Sequence, residues 1–239
     1  MVEILFLVFL SIVPGLCWLA LFLHEDWRHP EPRFLIFYTF LGGMVVTTLT
    51  LFIQNKVHEY LFQGDIITLL FSGQLSFSQV NFLIVFSAIE EIAKFLVVWL
   101  LIRPLKDFNE PIDAMIYMIV AALGFAVVEN IAYVSAFVKG TISVGDPTQI
   151  LLLRATGSTL LHALTSGVLG YYWALEMFQK RVKRFIPEGL AVAILLHVVF
   201  NYLIIVTGAQ FITPLLFLAV VLFFLLIDFQ KIKHKEHLI

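Results

Sequence analysis

The chain has 239 residues and a mass of 27.2 kDa. Hydrophobic residues make up 61% and charged residues 13%, against roughly 45–50% and 25% in soluble domains. The mean hydropathy is +0.97, and a water-soluble globule of this size has too much surface for its volume to bury that apolar content. A net charge of −2 with no long basic tract argues against nucleic-acid binding, and the apolar content excludes a disordered chain. The apolar runs are continuous rather than alternating. They predict an all-α, polytopic transmembrane bundle and not a membrane barrel. The single cysteine, Cys17, gives no intrachain disulfide and no cysteine-rich zinc site.

A bilayer-spanning helix needs roughly 20 mostly apolar residues. Seven stretches qualify in chain order: about 4–23, 34–53, 82–102, 112–138, 156–178, 188–206 and 211–229. The first lacks a basic leader and a small-residue cleavage site, so it reads as a span and not as a signal peptide. The stretch 54–81 reads as a long loop, with an apolar patch at Ile66–Phe71 that lies on the membrane surface, re-enters it, or is simply part of the loop. The short connection Thr207–Gln210 predicts a tight hairpin between the last two spans. The chain shows no internal repeat and reads as one membrane domain over residues 1–239.

Lysine and arginine counts in the connections set the orientation. One set holds Arg28, Arg33, Arg103, Lys106, Lys180, Arg181, Lys183, Arg184, Lys231, Lys233 and Lys235; the other holds Lys56, Lys139 and Arg154. The bias is 11 to 3, which predicts an outer N-terminus and a cytoplasmic C-terminus. The Lys180–Arg184 cluster reads as an orientation anchor with affinity for anionic lipid.

Ionisable side chains inside spans are costly, by about 2.5–3.5 kcal/mol each on insertion scales, yet here they are concentrated. Span three carries Glu90, Glu91 and Lys94. Span four carries Glu129, Asn130 and Tyr133, span five His162, and span six His197 and Asn201. Glu90 and Lys94, Glu129 and Tyr133, and His197 and Asn201 are each spaced i,i+4, so each pair shares a helix face. Counted from the outer span ends at about 1.5 Å per residue, Glu90, Glu129, His162 and His197 fall at depths of about 9–14 Å. Four antiparallel helices thus level their polar groups in one layer.

Such a set suits water activation. A carboxylate among apolar residues serves as general base near neutrality. One glutamate of the adjacent pair faces the site and the other orients a partner, and Lys94 neutralises one of them. Neutral histidines ligate a metal or donate to an oxyanion, and Asn201 offers an amide donor. Glu91, His162 and His197 also form a candidate zinc triad with an open water position. No His-Glu-x-x-His motif and no pair of mid-membrane aspartates is present. A serine nucleophile stays open through Ser158 and Ser166, which flank His162 at i−4 and i+4.

In order along the chain stand Glu90-Glu91-Ile92-Ala93-Lys94, Glu129-Asn130-Ile131-Ala132-Tyr133, His162 in a span ending Gly-Tyr-Tyr, and His197-Val198-Val199-Phe200-Asn201. Asp113, Gly124-Phe125 and Arg154 fit the same texture. This order resembles the PrsW family of intramembrane proteases, over about residues 87–202. That family is similar in turn to the CAAX prenyl-protein endopeptidases. The resemblance implies hydrolysis of a peptide bond within or near the membrane, in substrates such as single-span regulators of the anti-sigma type. It implies Glu90, Glu91, His162, His197 and Asn201 as the site, with Lys94, Glu129, Asn130 and Tyr133 in support. It places the catalytic core in the four spans over 82–206. Zinc is left open. The partners implied are a membrane-protein substrate and the lipid bilayer, and the location is integral to a membrane, the cell membrane if the chain is prokaryotic.

Plainer readings compete. Glu90–Lys94 can be an insertion-easing ion pair, Glu129–Tyr133 a lock between spans, and the histidines and Asn201 interhelical glue. Arg154 reads best as an interfacial residue that contacts lipid headgroups. The rival function is a proton- or ion-coupled transporter that uses the buried Glu, Lys and His residues as a relay.

Overall fold

The computed structural model describes residues 2–27, 30–61, 77–140, 147–179, 183–207 and 212–236. Its regular structure is entirely helical among the described residues. Seven long helices follow one another: α1 (Val2–Leu23), α2 (Arg33–Leu61), α3 (Phe77–Leu101), α4 (Pro111–Val138), α6 (Ser158–Phe178), α7 (Phe185–Thr207) and α8 (Ile212–Glu236). A shorter helix, α5 (Pro147–Thr156), precedes α6. The expected all-α transmembrane bundle is observed, and the chain is an integral membrane protein. Five of the long helices are apolar enough to cross a membrane on composition alone. The other two, α3 and α6, are the ones that carry Glu90, Glu91, Lys94 and His162.

Two departures from the sequence reading bear on the polar residues. Helix α2 runs eight residues past the expected end at 53, to Leu61, and this brings Gln54 into the bundle as a buried side chain. The expected span 156–178 is broken at Gly157, where the backbone leaves helical geometry between α5 and α6. A Cβ at that glycine would meet the Leu153 carbonyl oxygen at 2.8 Å. The Ile66–Phe71 patch and the Gly208–Gln210 hairpin lie outside the described residues.

Helix α4 is the axis of the bundle. Of its apolar stretch 89% is buried, against 22–28% in the other four apolar spans. It packs most extensively on α6, α2 and α1. Small residues allow the approach. A Cβ on Gly43 of α2 would sit 2.0 Å from the Ala121 carbonyl oxygen, and one on Gly124 of α4 would sit 2.0 Å from that of Phe40. Thr47 fixes the same crossing, donating to the carbonyls of Gly43 at 2.7 Å and Phe125 at 3.3 Å. With the α2 and α4 backbones this close, α3 and α6 can bring their polar side chains to the same level as Glu129.

The start of α4 is pinned by its own sequence. Pro111 occupies the first turn, and the buried Asp113 accepts hydrogen bonds from the backbone N–H groups of Asn109 and Glu110, each at 2.8 Å. The Tyr117 hydroxyl donates to Glu31 and ties the α1–α2 connection to the same end. Phe95, Trp99, Phe108 and Trp173 form an aromatic layer between this end and the polar residues, with ring centroids 5.1–5.5 Å apart.

Candidate active site

Helices α3, α4, α6 and α7 converge on one buried polar chain. Lys94 Nζ donates to Glu91 Oε1 at 2.6 Å, and both side chains are 0% exposed. The same ammonium stands 3.2 Å from His162 Nδ1. His162 Nε2 is 2.7 Å from Glu129 Oε2, and Arg154 lies 3.1 Å from Glu129 Oε1. On the other side, His197 Nδ1 is 2.7 Å from Glu91 Oε1, and Thr165 donates to that oxygen at 3.0 Å. His197 Nε2 faces Glu90 Oε2 at 3.6 Å, and Glu90 Oε1 accepts from Gln54 Nε2 at 2.8 Å. The pair Gln54–Glu90 and the run His197–Glu91–Lys94–His162–Glu129–Arg154 therefore meet at the 3.6 Å approach of Glu90 to His197.

Donor chemistry fixes the two imidazole tautomers. An ammonium only donates, so His162 Nδ1 is the acceptor and Nε2 carries the proton given to Glu129. A carboxylate only accepts, so His197 Nδ1 carries a proton toward Glu91, and Nε2 is the ring atom that faces Glu90. The rings stand nearly perpendicular, with centroids 5.2 Å apart.

The two adjacent glutamates hold different environments. Glu91 is sealed, and its Oε1 accepts from Lys94, Thr165 and His197. Its Oε2 has no partner. Glu90 is 14% exposed and keeps Oε2 without a hydrogen-bond partner, aimed toward His197. The Glu90 side chain is the more exposed of the two, although its partnerless Oε2 is itself buried.

Several expectations are corrected here. Lys94 pairs with Glu91 at i,i+3 and not with Glu90 at i,i+4, because its ammonium turns toward His162. Glu129 takes its partners from His162 and Arg154; the Tyr133 hydroxyl is buried without one. Arg154 is not a headgroup contact. Its Nε donates to Asn130 Oδ1 at 2.8 Å, and its guanidinium lies over the Tyr133 ring. Asn130 in turn donates to Thr159 at 3.1 Å, so it locks α4 to α5 and α6. Ser166, read as a candidate nucleophile, is fully buried and its hydroxyl has no hydrogen-bond partner, His162 included. Asn201 lies one turn beyond His197 on α7, half-buried.

Sequence reasoning missed Gln54 and Thr165. Thr165 follows His162 by one turn on α6. Gln54 ends a buried stripe of Gly43, Thr47, Thr50 and Gln54 on α2, at the 4-3-4 spacing of one helix face.

A membrane-embedded helical bundle whose centre holds carboxylates, imidazoles and an amide, with a free carboxylate oxygen, defines a hydrolase working inside the bilayer. Residues 31–227 match the model of the PrsW family intramembrane metalloprotease, and the chain belongs to that family of intramembrane proteases. Protease PrsW of Bacillus subtilis (strain 168) is 27% identical over 197 residues, covering 81% of this chain and 80% of that one. Protease PrsW of Geobacillus kaustophilus (strain HTA426) is 24% identical over 200 residues, covering 83% and 80%. Protease PrsW of Clostridioides difficile (strain 630) is 24% identical over 207 residues, covering 85% and 80%. No solved structure matches the chain closely enough to count as similar.

The family description names a metal, and the donor set fits one. Glu90, His162 and His197 each offer a ligand atom, all within 4.8 Å of one another. A carboxylate with two imidazoles suits zinc, and Glu91 and Glu129 each hydrogen-bond one imidazole, as carboxylates do behind metal-bound histidines. The group contains Glu90 where the sequence reading placed Glu91, whose Oε1 is already filled by three donors. Binding through His162 Nδ1 and the Lys94 contact to that atom exclude each other.

Proposed function

We propose that the chain hydrolyses a peptide bond in a membrane-embedded or membrane-proximal protein segment with Glu90 as the water activator. The observation that carries this is Glu90 Oε2, a carboxylate oxygen without a hydrogen-bond partner that lies 3.6 Å from His197 Nε2 on the more exposed of the two glutamates. A water molecule that donates to Glu90 Oε2 is the nucleophile. Glu90 takes one proton as the water oxygen bonds to the scissile carbonyl carbon, and a tetrahedral oxyanion forms. Glu90 then returns that proton to the leaving amine as the C–N bond breaks.

Asn201 supplies an amide donor to the oxyanion, and Lys94, held between Glu91 and His162, supplies positive potential nearby. Glu91 orients His197, and Glu129 and Arg154 fix His162. Were zinc bound, Glu90, His162 and His197 would hold it, it would supply a Lewis acid and a more acidic water, and Glu90 would then serve as a ligand rather than as the base.

The substrate is a single-span membrane protein, in the manner of an anti-sigma regulator, and it unwinds locally to present a peptide bond. The catalytic core is residues 82–206. The 11 to 3 bias of basic residues supports an outer N-terminus and a cytoplasmic C-terminus in the cell membrane. The test is to incubate the purified protein in lipid with a pool of single-span membrane peptides and to read new termini by mass spectrometry. The expected result is cleavage within or at the edge of the apolar segment. Proton flux in liposomes with no cleavage of any peptide would point to the transporter reading instead.

A further inference from the structure

We infer that Gln54 is a positioning residue for the proposed base, holding the Glu90 carboxylate so that Oε2 is the oxygen left free. The inference rests on the reading of Glu90 as water activator. Gln54 lies on α2, outside the four helices that carry the sequence motifs, and is 6% exposed. Its Nε2 donates to Glu90 Oε1 at 2.8 Å and reaches the Phe86 carbonyl oxygen at 3.5 Å. Both partners only accept, so the amide orientation is determined: the nitrogen faces α3.

A glutamate side chain has three rotatable bonds and equivalent oxygens. Without a donor on Oε1, the carboxylate turns freely, and either oxygen can approach His197. With Gln54 in place, one oxygen is committed and the other faces His197 Nε2. The charged groups around Glu90 do not do this work. Lys94 is committed to Glu91 and His162, and the hydrogen bond His197 makes is the one from Nδ1 to Glu91. From α2, Gln54 is the donor that reaches Glu90.

Helix α2 can present that amide because Gly43 and Thr47 let it lie against α4, and because it continues past residue 53. The working site therefore draws on α2 as well as on the helices that carry the sequence motifs.

Two variants test this in the full chain in lipid. Gln54→Met keeps the volume and removes the donor. Gln54→Asn keeps an amide in the span but retracts it by one methylene from Glu90. Both are expected to lower kcat by about ten- to hundredfold, the scale of a catalytic group displaced by about an ångström, with KM within about twofold of wild type. The thermal midpoint of Gln54→Asn is expected to stay close to wild type. If Gln54→Met does not fold, Gln54→Asn decides alone.

A wild-type kcat in Gln54→Asn, or a loss confined to KM or to thermal stability, overturns the role. Glu90→Gln is run alongside. An active Glu90→Gln overturns the base assignment itself; an inactive Glu90→Gln with a normal Gln54→Asn overturns only the role of Gln54.

Discussion

Glu90 Oε2 lies 3.6 Å from His197 Nε2 and has no hydrogen-bond partner. That relationship divides the adjacent glutamates into an actor and a support. Glu91 is the support, since it takes hydrogen bonds from three helices, α3, α6 and α7. Glu91→Gln leaves the buried Lys94 without its counter-charge. It is expected to cost about 3–5 kcal/mol of stability, the scale of breaking a buried ion pair. Glu90→Gln keeps an acceptor for Gln54 and is expected to unfold close to wild type. Reversible unfolding in mixed micelles measures both, and equal losses in the two variants would count against the division of roles.

Arg154 reaches the site indirectly, by holding Glu129 and Asn130. Arg154→Gln removes the charge next to Glu129, which loosens the clamp on His162. A fall in cleavage rate of about tenfold is expected, on the scale of changes to groups that orient a site residue. Arg154→Lys should recover part of it, since an ammonium can pair with Glu129 but cannot also reproduce the guanidinium contact to Asn130. Steady-state cleavage of one peptide by the three proteins measures this. No loss in Arg154→Gln would return the residue to a lipid-facing role.

The α2–α4 crossing sets a second expectation. A methyl group on Gly43 or Gly124 meets backbone carbonyl oxygen at 2.0 Å, and backbone cannot swing aside as a side chain does. Gly124→Ala and Gly43→Ala should each destabilise the bundle by about 1–3 kcal/mol and separate Gln54 from Glu90. A lower thermal midpoint together with a lower kcat is the expected signature.

The metal question has its own handle in Lys94. Its ammonium holds the lone pair of His162 Nδ1, which a metal would need. In Lys94→Met that lone pair is released, and zinc affinity is expected to rise by about tenfold or more. Zinc titration of the folded protein, read by binding isotherm and by thermal midpoint, checks it. Unchanged affinity would mean that Lys94 and zinc do not compete.

The bundle and most of the site were legible because both rest on one-dimensional signals. Apolar runs of spanning length mark the helices, and polar residues within them are rare enough to stand out. The i,i+4 spacing in α3, α4 and α7 then aims them at one layer. What escaped depends on side-chain direction. Lys94 sits four residues from Glu90 and three from Glu91, and spacing alone does not choose between them. Arg154 lies near an expected membrane edge, where headgroup contact is the default; its inward turn depends on the break at Gly157. Gln54 lies just past a hydropathy boundary, and only its register with Gly43, Thr47 and Thr50 ties it to the buried face.

The most direct measurement is cleavage of a single-span membrane peptide in lipid by wild type, Glu90→Gln and Glu91→Gln, each corrected for folded protein. The account expects wild type to cut, Glu90→Gln to be folded and inactive, and Glu91→Gln to lose activity in step with its loss of structure. A folded, inactive Glu91→Gln beside an active Glu90→Gln would contradict the assignment of Glu90 as the group that activates water.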